Sequence, residues 1–415
     1  MYEVRIRKVN EIMIALSEIV KAKRQINSVV NKTPCGLAPL LSQEVDAEVY
    51  LKKENLQITG AYKIRGAYNK IASLTKEEKK KGVIAASAGN HAQGVAYSAK
   101  SFGISATIIM PEATPLLKVT GTKSLGAEVI LHGDNYDEAY AYALTYANEH
   151  GLTFIHPFED DKVIAGQGTI ALEMIDEIND LDIIVIPIGG GGLISGMSSA
   201  IKQIDPKIRV IGVTASGAPA MYESFKAKKA INSQSVRTIA DGIAVRDVSE
   251  SNLAHILECV DEIVQVDDEE IAAAILFLLE RQKLVVEGGG AASVAAIMQK
   301  KFAYEKGAKI GAVLSGGNID VQMLSVIIEK GLIKSHRKMK LLITLIDKPG
   351  ALMRLTDLFR NANANIIQID YDRTSTQLSY GDAKITIVLE TKGVEHQETI
   401  RKVLNDAGYP FKEEL

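Results

Sequence analysis

The apolar, β-branched run Ile183-Ile184-Val185-Ile186-Pro187-Ile188 ends in four consecutive glycines, Gly189, Gly190, Gly191 and Gly192, followed by Leu193 and a helical pattern from Ile194. The run suits a fully buried strand. The glycines let the chain turn closely into a helix whose first N–H groups face whatever lies at the turn. Those free donors, together with the helix dipole, make such a corner a natural seat for a phosphate. The spacing G-x-G-x-x-G fails from Gly189, Gly190 and Gly191, and no Walker A pattern occurs. A glycine turn that serves only close packing is the plainer alternative. Four glycines directly after a buried strand favour phosphate binding over it.

The same strand-and-helix rhythm runs through the first ~330 residues. Val83 to Ala86, Ala106 to Met110, Glu128 to Leu131, Val210 to Val213 and Gly311 to Leu314 read as further buried parallel strands, with helices such as Tyr136 to His150 and Glu269 to Gln282 between them. Alternation of this kind predicts α/β layers with right-handed crossovers and ligands at the carboxyl ends of the strands. The pattern changes after Lys334. Ser335 to Lys340 reads as a basic linker. Beyond it come Leu341 to Ile346 (strand), Ala351 to Arg360 (helix), Ile366 to Tyr371 and Ala383 to Leu389 (strands), Glu395 to Ala407 (helix) and a last short strand around Tyr409 to Phe411. This βαββαβ order predicts a small α+β module of the ferredoxin-like kind.

Composition excludes several partners. The formal net charge is −3, with no dense block of Lys and Arg, which argues against nucleic-acid binding. The uncharged run Ile183 to Met197 is too short to span a bilayer and is broken by glycines, and residues 1–7 carry no apolar signal core. The two cysteines, Cys35 and Cys259, lack metal-ligand spacing and suggest no disulfide framework, so a reducing cytoplasm is the expected setting.

Three more clusters lie in loops. In Thr59-Gly60-Ala61-Tyr62-Lys63-Ile64-Arg65-Gly66-Ala67 the lysine has small and apolar neighbours, and desolvation there would favour a neutral, nucleophilic amine. On local spacing alone a snorkelling surface lysine fits equally well. Ser87-Ala88-Gly89-Asn90-His91-Ala92-Gln93-Gly94 follows the Val83 strand directly and suits a carboxylate-binding loop that opens a helix. Taken singly, His91 suits a buried structural role better than a catalytic one. Ser315-Gly316-Gly317-Asn318 follows the Gly311 strand.

Together these four clusters, with Ala240-Asp241-Gly242-Ile243-Ala244-Val245, resemble the fold type II pyridoxal-phosphate enzymes over roughly residues 10 to 330, and within them the threonine dehydratase family. The resemblance implies a two-subdomain fold of the tryptophan synthase β kind, with a smaller subdomain over roughly 55–155 inside a catalytic domain spanning 1–334. It implies pyridoxal 5'-phosphate as cofactor, held on Lys63 as a Schiff base. Tyr62 would pack on the ring, where relatives more often have Phe. Asn90 would bond the ring hydroxyl, Gly189, Gly190, Gly191, Gly192 and Leu193 would cradle the phosphate, and Ser315 would face the pyridine nitrogen. Glu287 matches an acidic position near the ring. Ser87, Asn90 and His91 would hold the substrate carboxylate. The implied reaction is dehydration and deamination of L-threonine, with L-serine as an alternative substrate.

Some residues depart from the family pattern. Ala61 replaces a more usual Ser. Ala88 stands where serine racemases carry the Ser that reprotonates the opposite face of the substrate, which favours elimination over racemization. Gly288-Gly289-Gly290 replaces a Pro-containing stretch. Val213-Thr214-Ala215 and Ala220 lack the carboxylates of the divalent-cation loop of some racemases, so no metal is expected there. The segment 341–415 resembles an ACT domain through Asp347-Lys348-Pro349-Gly350-Ala351-Leu352 and Asn365-Ile366. That likeness implies an amino-acid effector at Pro349, Gly350 and Asn365. The resemblance as a whole implies a homo-oligomer, with a tetramer expected. A catalytically degenerate amino-acid sensor is the alternative from another class.

Overall fold

The computed structural model describes residues 13–374 and 378–414; the amino-terminal stretch 1–7 considered above lies outside them. The described chain divides into two compact units, Met1–Asp320 and Val321–Leu415. The helix Val321–Lys334 therefore groups with the second unit rather than closing the first. Nor is 335–340 a free linker, because the strand Lys338–Ile346 already begins within it. No described helix is long and apolar enough to cross a membrane.

The first unit is built on two sheets. The larger has the strand order Cys35–Leu37, Glu48–Lys52, Lys309–Val313, Ile183–Pro187, Arg209–Ala215, Glu262–Val266. All its pairings are parallel except the first, where Cys35–Leu37 runs antiparallel to Glu48–Lys52 at the edge. The smaller sheet orders Glu128–Leu131, Ala106–Met110, Val83–Ala86 and Thr153–Phe154, all parallel. Its central strands are buried along their whole length and lie between two apolar layers, one including Ile71, Val95 and Val163, the other Ala139, Ala143 and Ala147. Parallel strands covered by helices on both faces must read as continuous apolar runs, which is what the sequence shows there.

One helix ties the two sheets together. Asp161–Glu177 is buried almost continuously from Val163 to Met174 and packs against the helices Leu16–Ile26, Lys63–Ser73 and Gly192–Ile204. Asp160 caps its start by accepting from the Lys162 and Val163 N–H groups, satisfying donors that the first turn leaves open. The long helix expected over Glu269 to Gln282 is regular only through Phe277 and widens into a π turn at Leu278–Gln282, which ends at Lys283 in the left-handed conformation. Beyond the first unit, the strands of the second form an antiparallel sheet in the order Asn365–Asp372, Asp382–Glu390, Lys338–Ile346, Phe411–Glu414, the ferredoxin-like arrangement expected of its βαββαβ sequence.

A cluster of charges lies inside the first unit where composition predicts only apolar packing. Arg65 and Lys52 are wholly buried. Arg65 donates from Nε and Nη2 to both oxygens of Glu54 at 2.8 Å and from Nη1 to Glu173 at 2.7 Å. Lys52 Nζ donates to Glu173 and to the Thr33 carbonyl, each at 2.6 Å. Burial by itself raises the Glu173 carboxyl. The hydrogen bonds and charges of Arg65 and Lys52 outweigh it and hold the group below its ordinary value. The cluster joins the strand Glu48–Lys52, the start of the lysine helix and the helix Asp161–Glu177 across three separate stretches of chain. Removing one charge leaves the others buried and uncompensated, at a cost of about 3–5 kcal/mol. Arg65→Leu should lower stability by that amount in chemical denaturation. A loss under about 1 kcal/mol, the scale of an exposed ion pair, would show that the cluster does not hold these elements together.

Candidate active site

Lys63 is the first residue of the helix Lys63–Ser73, and the loop before it is clamped onto the loop 315–318. Tyr62 N donates to the Ser315 carbonyl at 3.1 Å, Gly317 N donates to the Gly60 carbonyl at 2.8 Å, and Ala61 bridges Gly316. Two of the sequence clusters, separated by some 250 residues, thus form one wall. Lys63 Nζ donates to the Pro157 carbonyl at 2.9 Å and stands 5.4 Å from the centre of the Tyr62 ring. Burial pushes the amine down to about 8, against the pull of Glu287. The snorkelling alternative therefore does not hold: the amine points inward and is closer to neutrality than an ordinary lysine.

Asn90 opens the helix Asn90–Ser101 immediately beyond the strand Val83–Ala86. Its Nδ2 donates to Glu287 Oε1 at 2.7 Å, and its Oδ1 accepts from Asn318 Nδ2 at 2.8 Å. Nδ2 carries a second proton, which remains for a ligand. Burial raises the Glu287 carboxyl to about 7, opposed first by the Asn90 hydrogen bond. Ser315 is buried, and the residue after it, Gly316, lies against the Glu287 carboxyl. Ser87 accepts at Oγ from Gly89 N at 3.2 Å, and no side chain caps the helix start that follows.

His91 has the buried structural setting that the residue taken singly suggests. It is buried, its Nε2 lies 2.8 Å from the Ile155 carbonyl, and burial pushes it down to about 3. A carbonyl only accepts, so Nε2 carries the proton and Nδ1 is left as a bare acceptor. Nδ1 is itself buried and makes no hydrogen bond. His91 thus supports the wall, and the uncapped main-chain N–H groups of the loop remain as the anion donors.

The glycine corner meets the same cleft. Gly191 has a positive φ of 91° and starts the helix Gly192–Ile204, which no side chain caps. A Cβ at Gly190 would lie 2.4 Å from the Phe158 ring, so a side chain there is excluded by packing. Asn252, which the sequence reading missed, secures the corner by donating from Nδ2 to the carbonyls of Gly190 at 2.7 Å and Phe158 at 2.8 Å. It lies in the helix Glu250–Cys259, far from any glycine motif, and no local signal marks it.

A model for pyridoxal-phosphate dependent enzymes matches residues 26–316. The chain belongs to that family. It is similar to the L-threonine ammonia-lyase of Thermotoga maritima, at 49% identity over 96% of this chain and 99% of that protein. Among solved structures it resembles the processed form of threonine deaminase isoform 2 from Solanum lycopersicum, with a TM-score of 0.74 and 37% identity over 78% of this chain and 88% of that one. It also resembles maize serine racemase, with a TM-score of 0.72 and 35% identity over 77% of this chain and 98% of that one.

The residues fit the family's cofactor. An uncapped glycine helix start offers N–H donors to a phosphate, a weakly basic, inward-facing lysine offers an amine to an aldehyde, and Asn90 retains a free amide proton. The remaining expected residues lie in the second unit. Register sets Ile346 opposite Asp382 and Asp372 opposite Lys384 at one end of its sheet, with Lys338 and Asn365 both opposite Glu390 at the other. Pro349 and Gly350, which follow Ile346, therefore lie at the opposite end from Asn365, and one copy does not bring them together.

The lysine sets a pH dependence. An amine must be neutral to attack an aldehyde, and the neutral form of Lys63 predominates above its lowered value of about 8. The rate at which cofactor-free protein takes up pyridoxal phosphate should rise with pH and level off just above 8. A rate still climbing tenfold per pH unit between 9 and 10 would show an ordinary lysine instead.

Proposed function

We propose that this chain is a cytoplasmic L-threonine ammonia-lyase that converts L-threonine to 2-oxobutanoate and ammonia. The observation that carries the reading is the depressed, inward-facing Lys63 amine in one cleft with an uncapped glycine helix start. The similarity to the Thermotoga maritima enzyme over nearly the whole chain supports the choice of substrate. Lys63 would be the covalent attachment point. Gly189 to Leu193 would hold the phosphate, Tyr62 would pack on the ring, and Asn90, Ser315 and Glu287 would serve its polar edge. When bound, pyridoxal phosphate supplies an electron sink for the bond being broken at Cα.

The protein's own groups supply the rest. Ser87, Asn90 and the main-chain donors of their loop orient the substrate carboxylate. Lys63 would take the Cα proton; its lowered basicity leaves about half of it neutral, and so competent as a base, near pH 8. Loss of the β-hydroxyl as water leaves an enamine, and hydrolysis of its imine tautomer releases ammonia and the 2-oxo acid. Ala88 puts no hydroxyl where a second proton donor would stand, so elimination is not diverted to racemization.

The product is a precursor for isoleucine synthesis, and we assign the second unit to control of that flux. Because Pro349 and Gly350 lie far from Asn365 within one copy, an amino-acid effector reaching both needs two copies paired through this unit, the pairing from which a homotetramer would be built.

Purified protein given saturating L-threonine should release 2-oxobutanoate several-fold faster than it releases pyruvate from L-serine. A clear preference for serine would keep the chemistry and overturn the substrate. Lys63→Ala should lose both turnover and the borohydride-reducible visible band; full activity in that variant would remove Lys63 from its role.

A further inference from the structure

The cleft contains a polar chain that the reaction as derived leaves unexplained. It begins at the Thr59 carbonyl, passes through the side chains of Asn318 and Asn90, and ends at Glu287. Asn318 Nδ2 donates to the Thr59 carbonyl and to Asn90 Oδ1, both at 2.8 Å, and Asn90 Nδ2 donates to Glu287 Oε1 at 2.7 Å. The direction of the chain is imposed from its main-chain end. A carbonyl can only accept, so Asn318 must present its amide nitrogen there. That nitrogen has no acceptor capacity, so Asn90 must turn its oxygen toward it and its own nitrogen toward Glu287.

The loop is shaped around this arrangement. Gly60 has a positive φ of 72°, and a Cβ on it would lie 2.3 Å from Asn318 Oδ1. Gly60 also accepts from Gly317 N at 2.8 Å, which holds the Asn318 loop against the Lys63 loop. Asn318 is itself exposed, so packing does not account for its amide being tied at two points.

We propose that Asn318 is a positioning residue of the cofactor pocket: by donating to both Thr59 and Asn90 it fixes which way the Asn90 amide faces, and so commits Asn90 to donate toward Glu287. This rests on the reading of Asn90 and Glu287 as cofactor contacts. Without the restraint an amide can turn over, since its two ends are nearly the same shape. Turned over, Asn90 would offer Glu287 a carbonyl oxygen and present the wrong pattern to the ring. The other groups acting on Glu287 are Lys118 and the Asn318 main-chain N–H, which favour its charge, and Asp241, which opposes it. Lys63 and Tyr62 also face it.

The test uses two substitutions and two readouts besides activity: affinity of the cofactor-free protein for pyridoxal phosphate, and the pH midpoint of the bound cofactor's visible band. Asn318→Ala releases the Asn90 amide without adding charge. Asn318→Asp replaces the donor with an acceptor and should turn Asn90 over. A carboxylate that loses its donor is harder to ionise, so both midpoints should move to higher pH. The Asp variant should move further, by about one pH unit, a tenfold change in ionisation. Affinity should fall in the same order. Adding Glu287→Gln should cancel the pH shift, because an uncharged amide has no ionisation to move; a fold-wide effect would persist. Thermal unfolding checks that each variant is folded, and if the Asp variant is not, the Ala variant decides. Native midpoint and affinity in Asn318→Ala, or a shift that survives Glu287→Gln, would overturn the proposal. No visible band in the unsubstituted protein would bring down the Lys63 reading, and this proposal with it.

Discussion

The site depends on charges buried behind it. Arg65 stands two residues beyond Lys63, on the first turn of the same helix, and is held by Glu54 and Glu173 in a space closed to water. A guanidinium with both carboxylates in place has little freedom to move, because any shift would leave a charge unpaired in a region of low dielectric. The helix start, and with it Lys63, is thereby fixed relative to the central helix Asp161–Glu177. Lys52 extends the restraint to the large sheet through Glu173. Apolar packing alone would hold these elements together with less control over their angular setting, since it is non-directional.

From that fixed start, the cleft is assembled by contacts between distant loops. The loop 59–62 pairs with 315–317, and Asn90 and Glu287 meet across 197 residues of sequence. The two functional ionisations move in opposite senses for one reason. Burial disfavours charge, lowering the Lys63 amine and raising the Glu287 carboxyl. Neither value belongs to the isolated residue.

Much of this was legible in the sequence because the relevant signals are local. The parallel strands appear as unbroken apolar runs, and Val83–Ala86, Ala106–Met110 and Glu128–Leu131 have the bounds expected of them. The glycine corner is marked by four adjacent residues. The short strand Thr153–Phe154 escaped notice because two residues carry no periodicity. The helix break at Leu278 escaped because no proline or glycine announces it. Asn252 and Glu173 were missed for another reason: each is an ordinary residue of an amphipathic helix until the fold sets it against a partner far away in sequence. His91 was legible as a buried structural residue, but its tautomer was not, since the Ile155 carbonyl that determines it belongs to a different segment.

The sequence by itself determined the order of elements, the α/β and α+β characters of the two parts and the glycine corner, because backbone propensity, burial periodicity and glycine's conformational range act over a few residues. Only the tertiary structure decided which polar atoms face one another. That choice set the direction of the Asn90 amide, the neutrality of His91, the weakened basicity of Lys63 and the burial of Arg65. It also decided that Pro349 and Gly350 lie away from Asn365 within one copy. These depend on distance and dielectric between residues remote in the chain, and local sequence encodes neither.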